Sequence, residues 1–143
     1  MLTVEMLVAC GVAGVAGVNL GTAACELVMT GGWECWVLEI SSFQAELLTE
    51  MKPSVGIFLN LSQDHLERHP DMASYGSAKR RLFAYQDASD VAVLNADDEQ
   101  VIGTPTAARR RLFSREGPAD AWLDGQRLWL DGNFFVDRSD VAL

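Results

Sequence analysis

The chain carries no lysine, arginine or histidine before Lys52. A secretory signal opens on a positively charged segment ahead of its apolar stretch. Here Glu5 stands before the apolar stretch Met6 to Cys25, so export is not expected, although Leu7-Val8-Ala9-Cys10 resembles a lipoprotein cleavage site. Asn19 and glycines at 11, 14, 17 and 21 interrupt the same stretch, which makes it a poor membrane span. Bases are scarce throughout: 11 against 20 acids, a formal charge of −9, with no basic stripe. Such a surface repels a phosphate backbone, and nucleic-acid binding is excluded. The cysteines are Cys10, Cys25 and Cys35, odd in number and without metal-ligand spacing. Lying in apolar runs, they are predicted to be buried reduced thiols of a reducing compartment. Nowhere is there a Gly-Lys-Ser/Thr, so a phosphate-binding loop is missing, and the early glycines are predicted to serve close packing of a first strand.

What is present suits one folded domain. The 143 residues are 49% hydrophobic and 22% charged, enough to build one core and too few for two full ones. A short apolar run that ends in a polar residue recurs four times. Gly11 to Val18 ends in Asn19, Cys35 to Leu38 in Glu39, Val55 to Leu59 in Asn60, and Val91 to Leu94 in Asn95. Unbroken apolar runs of this length are the pattern of strands buried on both faces of a parallel sheet. Helical stretches at Thr22 to Thr30 and Asp71 to Gln86 separate them, which predicts a doubly wound α/β fold. Ligands bind at the carboxyl ends of strands in such folds, so the four polar residues mark one candidate edge.

Beyond Pro105 the character changes. Arg109 to Ser114 reads as a further strand, and 115–137 as an antiparallel region folded about Asp124-Gly125 and Asp131-Gly132. This tail is expected to pack on one end of the sheet within a single domain.

Three places carry candidate chemistry. Glu39, at the end of an apolar run, either turns to solvent or needs a cation, a metal or hydrogen bonds. The stretch Asp64-His65-Leu66-Glu67-Arg68-His69 follows the third strand and holds both histidines. Histidines there are metal-ligand candidates, although solvated or capping roles are commoner for such loops. Lys79 lies within an apolar stripe of Met72, Tyr75, Leu82 and Phe83 at helical spacing, whereas Arg80 and Arg81 fall on the polar face. An inward lysine either snorkels, meets a carboxylate or loses its charge. In the last case its amine is nucleophilic and could take up carbon dioxide as a carbamate, an oxygen ligand for Mg²⁺.

Several of these segments coincide with one family. Val37-Leu38-Glu39-Ile40-Ser41-Ser42-Phe43-Gln44 resembles the Glu-Leu-Ser-Ser-Phe-Gln signature of the D-glutamate-adding Mur ligases. Asn60 to His69 resembles their Asn-x-x-x-Asp-His-x-Asp-Arg-His loop, and Tyr75-Gly76-Ser77-Ala78-Lys79 their Tyr-x-x-Ala-Lys helix. Asn95-Ala96-Asp97-Asp98 is similar to their Asn-x-Asp-Asp strand end, and Asn19-Leu20-Gly21 to their Gly-Asn-Ile-Gly segment. Five motifs in family order make the resemblance specific.

The resemblance implies a P-loop-NTPase-like central domain and an ATP-dependent ligase of peptidoglycan synthesis. The alanine carboxylate of UDP-N-acetylmuramoyl-L-alanine would be phosphorylated by ATP, and the amine of D-glutamate would displace phosphate from the acyl-phosphate. Glu39 would bind one Mg²⁺, and His65 with a carbamylated Lys79 the second. Asn19, Ser41 and His65 would approach the muramoyl-alanine substrate. The implied protein is cytoplasmic and monomeric. The family's phosphate loop should precede a helix around Thr3 to Leu7, so residues 1–143 are expected as one partial central domain, inactive alone. The alternatives are another Mur or folylpolyglutamate-type amide ligase, or a truncated non-enzymatic nucleotide-binding remnant. A dinucleotide-binding module, suggested only by scattered glycines, ranks last.

Overall fold

A computed structural model of the chain describes residues 2–19, 21–62 and 69–141. The chain divides into two compact units, Met1–Gln44 and Ala45–Leu143.

In the first unit, α1 (Leu2–Ala9) leads into β1 (Gly14–Val18), α2 (Ala24–Thr30) and β2 (Cys35–Glu39), after which the short helix α3 (Ser42–Glu46) carries the chain on into the second. The two strands pair in parallel, with Gly14 opposite Cys35 and Val18 opposite Glu39. The first strand is shorter than its apolar run because Gly11, at φ +81°, is in the turn that ends α1. Close packing explains Gly17: a Cβ there would lie 2.5 Å from Leu27 Cδ1 and 2.6 Å from the Thr22 carbonyl oxygen. Leu27 is thereby the buried side chain of α2. The expectation of buried thiols is overturned. Cys10 and Cys25 are exposed and Cys35 is half-buried. Cys10 follows α1, which has no buried residue, Cys25 lies on α2, where only Leu27 is buried, and Cys35 opens β2.

In the second unit, β3 (Val55–Phe58), β4 (Val91–Asn95), β5 (Arg109–Ser114), β6 (Ala121–Asp124), β7 (Arg127–Leu130) and β8 (Asn133–Asp137) form one six-stranded sheet in sequence order. The pairs from β3 to β6 are parallel, and β6–β7 and β7–β8 are antiparallel. The α/β class with a mostly parallel sheet and an antiparallel C-terminal part is therefore the observed one. The described strands nonetheless fall into two sheets, so the four polar strand ends divide between them. The C-terminal hairpins also extend the sheet laterally beyond β5. Their second loop is Asp131-Gly132, with φ of +51° and +75°, as a two-residue hairpin turn with both residues left-handed requires.

α4 (Met72–Arg80) supplies the crossover between β3 and β4. Asp71 starts it: its carboxylate accepts from the Ser74 amide, and the Ser74 hydroxyl reaches back to the Asp71 amide. The regular helix ends at Arg80 and tightens into a 3₁₀ turn, Arg81–Phe83, so it is shorter than its apolar periodicity suggests. That turn plants Phe83 in the core with Phe58, Leu61, Tyr75, Ala92, Leu94, Val101 and Ala108. Phe58 and Phe83 stack with centroids 6.2 Å apart. Burying each of the larger of these side chains contributes about 1.5–3 kcal/mol. Only alternate residues of β3 are buried: Gly56 and Phe58 face the core, whereas Val55 and Ile57 are exposed.

Candidate functional site

The ends of β1 and β2 bring two of the sequence-derived residues together. Parallel register sets Val18 opposite Glu39, so the next residue, Asn19, arrives beside the carboxylate. The Asn19 amide donates to the Glu39 carbonyl at 3.0 Å, and its side-chain Nδ2 donates to Glu39 Oε1 at 3.2 Å. Glu39 is exposed, which settles the burial question its position posed. A carboxylate holding one amide hydrogen bond keeps lone pairs for a hard cation. Val18, immediately before Asn19, has φ +84°, a conformation that a β-branched residue adopts only under strain. Strain of this kind concentrates where a backbone serves a site.

Ser41 follows two residues after Glu39. Its amide and hydroxyl both donate to Gln44 Oε1, at 2.9 and 3.0 Å, and the Gln44 amide donates to the Ser41 hydroxyl at 3.2 Å. Gln44 is thus a residue that fixes Ser41, and the signal for it was the serine-to-glutamine spacing of a capping pair.

At the carboxyl edge of the second unit's sheet, Asn95 Nδ2 donates to the Leu59 carbonyl at 2.9 Å, tying β4 to the end of β3. Asp98 Oδ1 caps the short helix α5 (Glu99–Ile102), accepting from the amides of Gln100 and Val101. Its other oxygen accepts from the Leu61 amide at 2.8 Å. One carboxylate therefore anchors the chain as it leaves β3 towards the histidine-bearing segment. Asp97 accepts from the Ser114 hydroxyl and the Arg115 amide, which together hold its carboxyl below the usual carboxylate range. The Asn-x-Asp-Asp residues thus secure the strand ends.

Lys79 is half-buried on α4, with Nζ 5.0 Å from the Tyr75 ring centroid, the arrangement that i,i+4 spacing and a cation–π contact favour. Arg80 and Arg81 turn away from it, donating to the carbonyls of Gln100 and Leu48. His65 lies outside the described residues. His69, expected on a solvated loop, is instead buried at 2% exposure. The reason is packing: its ring lies against Tyr75 and its Nδ1 lies 3.4 Å from Glu46 Oε1. Among the described residues, no three His, Cys, Asp or Glu side chains are grouped to hold a metal, and no helix is long and apolar enough to cross a membrane.

The Mur ligase middle domain family matches residues 9–134. The chain belongs to this family. Similar proteins include the UDP-N-acetylmuramoylalanine–D-glutamate ligase of Syntrophotalea carbinolica, 41% identical over 130 residues, covering 88% of this chain and 29% of that protein. The same-named ligase of Geobacter metallireducens is 44% identical over 113 residues, covering 78% and 25%. That of Solibacter usitatus is 37% identical over 149 residues, covering 99% and 33%. This Mur ligase middle-domain chain therefore spans a third or less of those relatives' lengths. Among solved structures, a UDP-N-acetylmuramoyl-L-alanyl-D-glutamate–2,6-diaminopimelate ligase matches at TM-score 0.72 and 20% identity, covering 94% of this chain and 35% of that one. MurF ligase of Thermotoga maritima, in complex with ADP, matches at TM-score 0.67 and 18% identity, covering 92% and 35%. Both share the fold of the Mur ligase middle domain seen here.

Proposed function

We propose that the chain is the ATP-handling segment of a ligase that joins D-glutamate to UDP-N-acetylmuramoyl-L-alanine, in the cytoplasmic phase of peptidoglycan synthesis. The observation that carries this reading is the 41% identity, across 88% of the chain, to a protein named for that reaction. Residues 1–143 are read as one partial middle domain that needs further segments to turn over.

In this reading an oxygen of the substrate's alanine carboxylate attacks the γ-phosphorus of ATP, the bond to the bridging oxygen breaks, and ADP leaves. The amine of D-glutamate then attacks the acyl carbon, the C–O bond to phosphate breaks, phosphate leaves with the bonding pair, and the amine proton passes to water. Catalysis of this kind rests on positioning and charge neutralisation. Magnesium, when bound, would offset the charge of the transferring phosphoryl group. Glu39 suits it because its carboxylate is an exposed oxygen donor held by a single amide hydrogen bond. His65 and Lys79, the latter as its carbamate, are assigned to a second magnesium; as a plain ammonium Lys79 would offer no lone pair. Asn19 keeps the Glu39 carboxylate at the strand end, and Ser41, locked by Gln44, offers its hydroxyl to the muramoyl-alanine substrate. The protein is read as a monomer with no nucleic-acid or membrane partner.

The test is phosphate release from the full translated reading frame with ATP, Mg²⁺, UDP-N-acetylmuramoyl-L-alanine and D-glutamate. Release should require D-glutamate and vanish in Glu39→Gln with the fold retained. Release that prefers another amino acid would select a sister ligase, and none from a folded protein would sink the ligase reading.

A further inference from the structure

A lysine side chain loses rotamer freedom when fixed. A ring beneath its ammonium returns a free energy of the same order. The two nearly cancel, so the ring orders Lys79 only if the ring is itself held. Tyr75 is buried, and the His69 ring lies against it with centroids 5.1 Å apart and planes at 49°. His69 is in turn held from a third part of the chain, its Nδ1 3.4 Å from Glu46 Oε1. A surface anchor, a buried imidazole, a buried phenol and the amine thus follow one another in space.

We propose that His69 is a positioning residue: seated between Glu46 and Tyr75, it holds the Tyr75 ring, and through that ring the Lys79 amine, where α4 presents it. The proposal rests on the reading of Lys79 as the site's reactive amine. A histidine that merely fills the core would be replaceable by any side chain of like volume. A histidine that supports a ring face would be replaceable only by another ring.

The chain has two lysines, and the second supplies the control. Lys52 pairs with Asp87 at 2.5 Å and Asp90 at 3.4 Å, with no ring contact among the described residues. Reductive methylation of the whole chain with ¹³C-formaldehyde labels both lysine amines while keeping their charge, and the α-amine gives a resonance of its own. In the wild type the Lys79 methyl resonance should lie upfield of that of Lys52, through the ring current of Tyr75. His69→Gln, which keeps volume and polarity without a ring, should return the Lys79 resonance to the Lys52 position. His69→Phe should retain the upfield displacement, and Lys52 should not move in either. An unchanged Lys79 resonance in folded His69→Gln, or its loss in folded His69→Phe, would overturn the proposal. Should the glutamine variant fail to fold, His69→Leu, equally without a ring, takes its place with the same expected outcome. Intact resonance behaviour, together with no ligase activity from the unmethylated full reading frame, would sink the functional reading and leave the positioning role standing.

Discussion

Asn19 and Glu39 meet twice, backbone to backbone and side chain to side chain, at the shared end of two parallel strands. The price of that meeting is the left-handed backbone of Val18 at φ +84°. Such a conformation costs a β-branched residue about 1–3 kcal/mol, whereas glycine accepts it and loses about 0.5–1 kcal/mol in chain entropy. Val18→Gly is therefore expected to be neutral or stabilising by up to about 2 kcal/mol. Urea unfolding checks this, and a clear loss of stability would show that the Val18 side chain packs more than it strains.

Gly56 gives a prediction of opposite sign. A Cβ on it would lie 2.7 Å from Phe83 Cε1, and Phe83, 1% exposed, has no room to retreat. Gly56→Ala should cost about 1–3 kcal/mol by overpacking. Combining it with Phe83→Leu should cost less than the two changes summed, because the clash then has no ring to meet.

Gln86 is a buried amide that closes three gaps. Its Nε2 donates to the carbonyls of Pro53 and Val91, and its Oε1 accepts from the Thr106 hydroxyl. Gln86→Leu keeps the volume and strands those partners, so it should destabilise the chain by about 1–3 kcal/mol. Gln86→Glu, read at neutral pH, should be worse, since a carboxylate cannot donate to the two carbonyls.

Acid should loosen the second unit through carboxylates that its fold holds ionised. The Asp97 carboxyl is held below its ordinary value chiefly by the Ser114 hydroxyl and then by the Arg115 amide. A depressed folded-state value means the unfolded chain takes the proton first. The stabilisation is therefore fully present above the ordinary aspartate range and is lost as pH falls through the lower folded value. Asp71, lowered mainly by the Ser74 amide, behaves in the same way at the start of α4. Thermal unfolding followed between neutral pH and pH about 3 should show a smaller loss of stability in Asp97→Asn than in the wild type.

Much of this arrangement could be read in advance where the signal is local. Apolar runs closing on Asn19, Glu39 and Asn95 gave strand ends, because a parallel strand and its terminus are written in consecutive residues. The Asp-Gly pairs gave the hairpins for the same reason. Which strands pair was not legible: nothing in Cys35 to Glu39 or Val55 to Phe58 names a neighbour, and the strands fell into two sheets. His69 was misjudged on the same ground. Its burial depends on Tyr75 and Glu46, and no periodicity in a polar stretch announces them. The exposed Cys10 and Cys25 show the converse error, since an apolar run states what a segment could bury and not what covers it.

The sheet of the second unit is stitched by two very different kinds of closure. Trp122 meets Trp129 across a two-residue loop, whereas Val55 meets Val91 only after the whole crossover through α4. Closing a short loop sacrifices little chain entropy and takes microseconds, and distant pairing waits on a longer search. The meander from β6 to β8 is thus able to zip first and stand as a template edge, onto which β5, β4 and finally β3 are added. Along the sequence that order runs opposite to synthesis, because β3 to β5 precede the meander in the chain.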